Sequence, residues 1–242
     1  MKVLVFLPTY NEKENIGSII NSINKLNFDK EILVVDDNSI DGTLEIINKM
    51  LNQENNLPLT LIRRTGKKGR GLAGVIALKY FIQSDNDIFL ELDADFSHHP
   101  KFIPDLLRNL QGCDLVIGSR MVKHGIEKGR KKVRSSVSLI ANFIIRIILG
   151  IKIKDCTSGF RAFKREILEN LDFDNFISIN PEIVEELLYG CILYDAKIKE
   201  IPITFYERSG GKSKLNLKKL IKVFLGIVKI RLRGKKIIKK EI

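Results

Sequence analysis

Asp93 and Asp95 stand one residue apart, directly after the apolar run IFLEL at positions 88–92, and Ser97, His98, His99 and Pro100 follow. Ionised carboxylates resist burial unless something pairs with them, so a strand that runs into acids requires a partner. In an extended segment alternate side chains share a side, which would aim Asp93 and Asp95 at one hard cation held jointly with phosphate oxygens. A second acid pair, Asp36 and Asp37, closes another apolar run. The two histidines do not suit zinc, because adjacent residues seldom chelate one ion and no His-Glu-x-x-His spacing is present. They are expected to cap the helix after Pro100 or to line a pocket wall. Cys113, Cys156 and Cys191 lie far apart without a Cys-x-x-Cys spacing, which points to a reducing intracellular compartment and away from structural zinc.

The elements that must position these acids follow from periodicity. Apolar, β-branched runs at 2–7, 31–37, 58–64, 87–92 and 114–119 read as strands, with helix-period segments between them. Asn11, with Glu14 three residues on, has the form of a capping box for the first helix, and a second helix is expected from near Asp41. A helix around AGVIALKYFIQ and another after Pro100 complete the alternation. Repeated strand and helix imply βαβ units, hence an α/β fold with a mostly parallel central sheet and helices on both faces. In such sheets ligands bind beyond the carboxyl ends of the strands, where this chain carries PTYNE, DDNSIDG, DADFSHH and GSR. Past Arg120, the charged stretch MVKHGIEKGRKKVR reads as a mobile loop. An apolar helix over roughly 135–149 follows, then DCTSGFRAF with no assigned element, a helix over roughly 181–190, one strand in KIKEIPITF, and a helix over roughly 216–233.

The formal charge of +12 is concentrated in one place. From Arg208 onward thirteen Lys and Arg face Glu241 alone, so the preceding 207 residues are neutral in sum. In the last helix Lys218, Lys222, Lys229 and Arg233 are expected on one side, and Leu217, Leu220, Ile221, Phe224 and Val228 on the other. A basic amphipathic segment suits an anionic surface. Nucleic acid is disfavoured, because Phe224 is the tail's only aromatic and gives bases no stacking platform. No window reaches the roughly 20 apolar residues of a membrane-spanning helix. The opening MKVLVFL stops at Pro8 and reads as a first strand rather than a secretion signal. One domain is expected over 1–215, with a basic extension over 216–242.

Two large enzyme classes recede on their motifs. The turn after the first strand is PTYNE, not Gly-x-Gly-x-x-Gly, and GKKGRGLAG at 66–74 fits neither that fingerprint nor a P-loop. No role attaches to this glycine-rich stretch.

Taken together, PTYNE, VVDDNSIDGT, DADFSHHPKFIP, GSR and SGFRAF resemble the family-2 glycosyltransferases of GT-A fold. DADFSHHPKFIP, the basic loop after Arg120 and FYERSGGKSKL resemble the dolichol-phosphate (polyprenyl-phosphate) mannosyltransferases among them. The resemblance implies transfer of mannose from GDP-mannose to a polyprenyl phosphate with Mg²⁺ or Mn²⁺, or, as the alternative, of glucose or another hexose. It assigns Pro8, Tyr10, Glu12, Val35, Asp37, Asp93, Ala94 and Asp95 to the donor, with Arg208 and Lys214 on a loop closing over it. Asp93 and Asp95 match metal ligands, and Ser97 stands where some relatives have a further one. Arg120, Arg134 and Ser135 match the acceptor-phosphate residues, and Asp95, Arg120 and Arg134 are the catalytic set. The implied acceptor is a lipid, so peripheral attachment to the cytoplasmic face of a membrane is expected, through the C-terminal helix or a separate anchoring subunit.

Overall fold

The computed structural model of the chain describes residues 1–53, 57–130, 132–207 and 217–238. In chain order its elements are β1 (Val3–Thr9), α1 (Ile16–Asn24), β2 (Lys30–Asp36), α2 (Thr43–Gln53), β3 (Leu59–Arg63), α3 (Arg70–Gln83), β4 (Ile88–Glu91), α4 (Ile103–Asn109), β5 (Leu115–Ser119), β6 (Ile126–Lys128), α5 (Lys132–Leu149), β7 (Arg161–Lys164), α6 (Arg165–Glu169), α7 (Ile183–Leu193), β8 (Ile198–Pro202), β9 (Thr204–Tyr206) and α8 (Leu217–Arg233). Among the described residues seven strands form one sheet in the order β3-β2-β1-β4-β7-β5-β8, and β6 and β9 form a small second one.

The sheet is mostly parallel, as the alternation predicts, with β7 antiparallel to both β4 and β5. Side chains alternate across it. Val3, Val5 and Leu7 of β1 face a core with Ile16, Ile19 and Ile20, while Leu4 and Phe6 face the other with Ala77, Phe81 and Phe163. Both faces are buried, which is why the strands read as continuous apolar runs. β2 lies on one side of β1 and β4 on the other, so the crevice beyond the carboxyl end of β1 is a topological switch point.

Several expected boundaries move. Asn11 does not cap α1: its φ is 55°, its side chain accepts from the Ile40 N–H at 3.0 Å, and its own N–H donates to Ser39 Oγ at 2.8 Å. It ties two loops together, and Asn15 precedes the helix instead. The basic stretch after Arg120 contains β6, because pairing with β9 supplies hydrogen-bond partners that local sequence does not reveal. KIKEIPITF is two strands in two sheets, broken after Pro202. The unassigned SGFRAF supplies β7.

The glycine-rich start of α3 has a structural reason. Gly71 donates its N–H to the Ile179 carbonyl at 2.8 Å. A Cβ there would stand 2.1 Å from the Ser178 carbonyl oxygen, and one at Gly69 would stand 2.2 Å from that of Ile179. Only glycine permits two backbones to approach so closely.

Helix α8 packs on α5 and α7 and joins the core through Ile227 and Ile230. Its facing differs from the expected one: Phe224 is exposed and the Ile227 and Ile230 positions are buried. Of the expected basic face, Lys229 is exposed, whereas Arg233 donates to Asn175 Oδ1 at 3.1 Å. The side chains of residues 217–223 lie outside the described residues.

Candidate active site

Three loops on the carboxyl edge turn through a left-handed residue: Asn11 (φ 55°) after β1, Asn38 (φ 58°) after β2 and Phe96 (φ 60°) after β4. For an aromatic residue such as Phe96 this conformation is costly, and strain of this kind concentrates at functional sites. The turns fold three segments around one cavity of about 370 Å³, lined by Pro8, Thr9, Tyr10, Glu12, Asp37, Arg70, Ala73, Asp93, Ala94 and Asp95. Seven of the expected donor residues therefore meet there. Val35 does not; it is buried in the core with Leu33 and Phe6. Arg208 and Lys214 lie outside the described residues.

Asp93 and Asp95 share the cavity for a different reason from the alternation argument. β4 ends at Glu91, and Asp95 sits in a turn, its Oδ1 accepting from the Ser97 N–H at 3.0 Å. Ser97 itself is buried and is not among the lining residues. Asp93 faces Arg70 Nε and His98 Nδ1, each at 3.5 Å, distances that leave its oxygens loosely held. Two half-open carboxylates of this kind fit a hard divalent ion whose remaining ligands come from phosphate oxygens and water.

Asp37 is held by its neighbours: Arg64 donates to it, and so does the Gly69 N–H, at 2.7 Å. Tyr10 lies under Lys68 Nζ, 3.9 Å from the ring centroid. Arg70 is a site residue that the sequence reading passed over. Among the described residues its terminal nitrogens are buried without hydrogen-bond partners, 3.6 Å from Glu91 at the nearest. Burial alone would lower its pKa, but Glu91, Asp93 and Glu185 outweigh it and the net direction is upward. A permanently charged, underbonded guanidinium on a cavity wall is suited to phosphate oxygens.

His98 connects this cavity to a second cluster. It is buried, and burial lowers its pKa against the pull of Asp93 and Asp95, so the ring is neutral. The ring packs on Phe160 and Phe205, with centroids 5.5 and 5.4 Å away. Over Phe205 lies the Arg120 guanidinium, 4.7 Å from the ring centroid. His98 thus lies behind the cavity lining, against Asp93, and His99 accepts from the Lys101 N–H at 3.1 Å as a cap. Of the two expected histidine roles, the cap is filled by His99.

Around Arg120 the structure gathers Arg134 and Ser135 as expected, and adds Arg130, Glu127, Asp155 and Glu207. Arg120 donates to Ser138 Oγ at 3.0 Å and Thr157 Oγ1 at 3.2 Å, and its Nε lies 3.1 Å from Glu127 Oε1. Arg130 binds Glu127 at 2.7 Å, Ser135 Oγ donates to Glu127 Oε2 at 2.5 Å, and Arg134 pairs with Glu207. These contacts join segments up to 73 positions apart, so sequence spacing carried no signal for them.

Residues 4–172 match the family model described as glycosyl transferase family 2. An undecaprenyl-phosphate mannosyltransferase of Micrococcus luteus is 32% identical over 216 residues, covering 89% of this chain and 88% of that one. A polyprenol monophosphomannose synthase of Mycolicibacterium smegmatis is 33% identical over 97% of this chain and 88% of its own. A dolichol-phosphate mannosyltransferase of Pyrococcus furiosus is 35% identical over 95% of this chain and 64% of its own. Among solved structures, glucosyl-3-phosphoglycerate synthase from Mycobacterium tuberculosis, in complex with Mn²⁺, UDP and glucosyl-3-phosphoglycerate, superposes with a TM-score of 0.66. It covers 99% of this chain and 81% of that one at 21% identity, which shows a shared GT-A architecture.

Proposed function

Because the chain belongs to glycosyl transferase family 2, we propose that it transfers mannose from GDP-mannose to the phosphate of dolichol or another polyprenol, with inversion at the anomeric carbon. The observation that carries this reading is the juxtaposition of an acid-lined cavity with an arginine cluster, joined through His98, Phe205 and Arg120. One half suits a nucleotide sugar and the other a phosphate. The names of the three relatives supply the mannose and the polyprenyl phosphate.

In this mechanism a phosphate oxygen of the acceptor forms the new bond to the anomeric carbon, while the bond from that carbon to the donor's terminal phosphate breaks. Both electrons of that bond leave with GDP. A phosphate monoester is already ionised near neutral pH, so no side chain has to remove a proton from it. Repulsion between two phosphate groups is the difficulty instead, and forked, charge-assisted hydrogen bonds from Arg120 and Arg134 offset it. Asp93 and Asp95 would hold Mg²⁺ or Mn²⁺, which when bound neutralises charge developing on the departing diphosphate. Arg70 adds a fixed positive charge on the cavity wall.

Lipid access follows from α5. Leu139, Ile140, Phe143, Ile144 and Ile147 are exposed on it, while Ile145 and Leu149 are buried. No helix among the described residues is long and apolar enough to cross a membrane. In this reading α5 and the basic C-terminal segment rest on the cytoplasmic face of a membrane, with or without a separate anchoring subunit.

The test is transfer of radiolabelled sugar into an organic-extractable, mild-acid-labile lipid. Purified chain, polyprenyl phosphate and Mg²⁺ or Mn²⁺ are supplied with GDP-mannose or UDP-glucose. Label from GDP-mannose alone is expected, lost in Asp95→Asn with unfolding temperature unchanged. Label from UDP-glucose alone would replace the donor, and no labelled lipid from either would overturn the reading.

A further inference from the structure

Every side chain assigned to the acceptor phosphate already holds a carboxylate. Arg120 and Ser135 both contact Glu127, and Arg134 pairs with Glu207. Among the described residues three guanidinium groups, from Arg120, Arg130 and Arg134, face three carboxylates, from Glu127, Asp155 and Glu207. The cluster is therefore close to neutral, an unexpected property for a site meant to attract anions.

The carboxylates are not equivalent. Glu127 is gripped from three sides, by Arg120, Arg130 and Ser135. Asp155 is almost fully buried and accepts from the Arg120 backbone N–H at 3.2 Å and the Thr157 hydroxyl at 3.2 Å. Glu207 is fixed at its backbone, where its N–H donates to the Lys128 carbonyl at 2.9 Å. Its side chain is held less well: Oε1 meets Arg134, but Oε2 is buried without a hydrogen-bond donor among the described residues and has Arg130 Nε only at 3.9 Å. It is the carboxylate that an incoming anion can displace at least cost.

We propose that Glu207 sets a threshold for occupancy of the acceptor site, holding Arg134 until an anion displaces it, so that a phosphate monoester, which binds the arginines more strongly, gains the site where a phosphodiester does not. The inference rests on the acceptor reading given above. A monoester phosphate carries nearly two negative charges and three free oxygens, against one charge and two oxygens on the carboxylate it must replace. A phosphodiester, with one charge and two free oxygens, has no such advantage. The distinction matters for a protein working on a membrane, where most anionic headgroups are phosphodiesters. An unopposed arginine cluster would be occupied by them, and Glu207 makes occupancy depend on charge and oxygen number.

Direct binding to the full-length chain without donor tests this, using farnesyl phosphate, its methyl diester and uncharged farnesol as probes, followed by calorimetry. Wild type is expected to bind the monoester more tightly than the diester, and Glu207→Gln to bind each about threefold more tightly, the displacement cost being common to both and on the scale of one partly exposed ion pair. Glu207→Asp keeps the charge on a shorter arm and is expected to fall between, so the comparison survives if the glutamine variant does not fold. Ester affinities unchanged from wild type in well-folded variants would overturn the inference while leaving the arginines as the acceptor site. If wild type and variants bind both esters no better than farnesol, the acceptor reading itself fails, and the inference with it.

Discussion

A methyl group on Gly159 would stand 2.8 Å from an Arg70 terminal nitrogen and 3.6 Å from each Asp93 oxygen. The nearest atom ends a flexible side chain, so Gly159→Ala should fold normally and shift its unfolding temperature little. It should instead push the Arg70 guanidinium off the cavity wall. Displacements near 1 Å in a reacting site cost up to about a hundredfold in rate, and we expect turnover to fall by at least about tenfold. Steady-state kinetics beside a thermal melt checks this; equal loss of stability and activity would contradict it. The residue scale also shows what one sequence can carry. Asp93, Asp95, Asp37 and PTYNE were legible because each closes an apolar run, a local signal of a strand's carboxyl end. Arg70 was not, since a lone arginine among glycines has no chemical neighbour until α3 is placed beside Glu91 and Asp93. The same holds for Glu207, which the pairing of β6 with β9 brings to Arg134 and Arg130.

At the scale of elements the alternation of apolar runs gave the parallel strands, and failed where a strand breaks the rule. β7 has four residues, begins with Arg161 and runs antiparallel between β4 and β5, so neither length nor pattern marked it. Arg161 is fully buried, donating to the Val184 carbonyl and, at 2.6 Å, to that of Cys156. Helix α7 passes beside it, buried along residues 183–191, and brings in Glu185. Burial raises the Glu185 pKa from 4.5 to about 7, with Arg161 and Arg70 pulling the other way. The folded chain thus holds this proton more tightly than the unfolded one. Glu185 therefore lowers stability progressively as pH rises from about 4.5 to about 7, and its effect is flat beyond either limit. Denaturant melts of wild type and Glu185→Gln between pH 4.5 and 8 should diverge in favour of the variant with rising pH, by on the order of 3 kcal/mol at most. Parallel profiles would mean that Glu185 titrates alike in both states.

Over the whole molecule, two properties that were separate in the sequence come to one side through α5. Its first turns carry Arg134 and Ser135 of the arginine cluster, and Ser138, which accepts from Arg120. Its next turns present Leu139, Ile140, Phe143, Ile144 and Ile147, between 37% and 65% exposed. Read alone, residues 137–149 could be core or interface. In the fold α8 packs on one side of the helix, and the opposite stripe is exposed among the described residues. An apolar stripe of this size beside the arginine cluster, in a chain with its positive excess at the C-terminal end, suits the boundary between headgroups and acyl chains. Replacing Phe143 and Ile147 together by Asp removes two apolar contacts and adds two charges of the wrong sign. Burying each side chain is worth roughly 1.5–3 kcal/mol when complete, so half that per residue predicts at least a tenfold loss of binding to anionic vesicles. Turnover of a short, soluble prenyl phosphate should be unaffected, since neither residue belongs to the cavity or the arginine cluster. Co-sedimentation with phosphatidylglycerol vesicles, measured beside that assay, separates the outcomes. Unchanged sedimentation would place the membrane contact elsewhere, and loss of both activities would show that the stripe supports the fold.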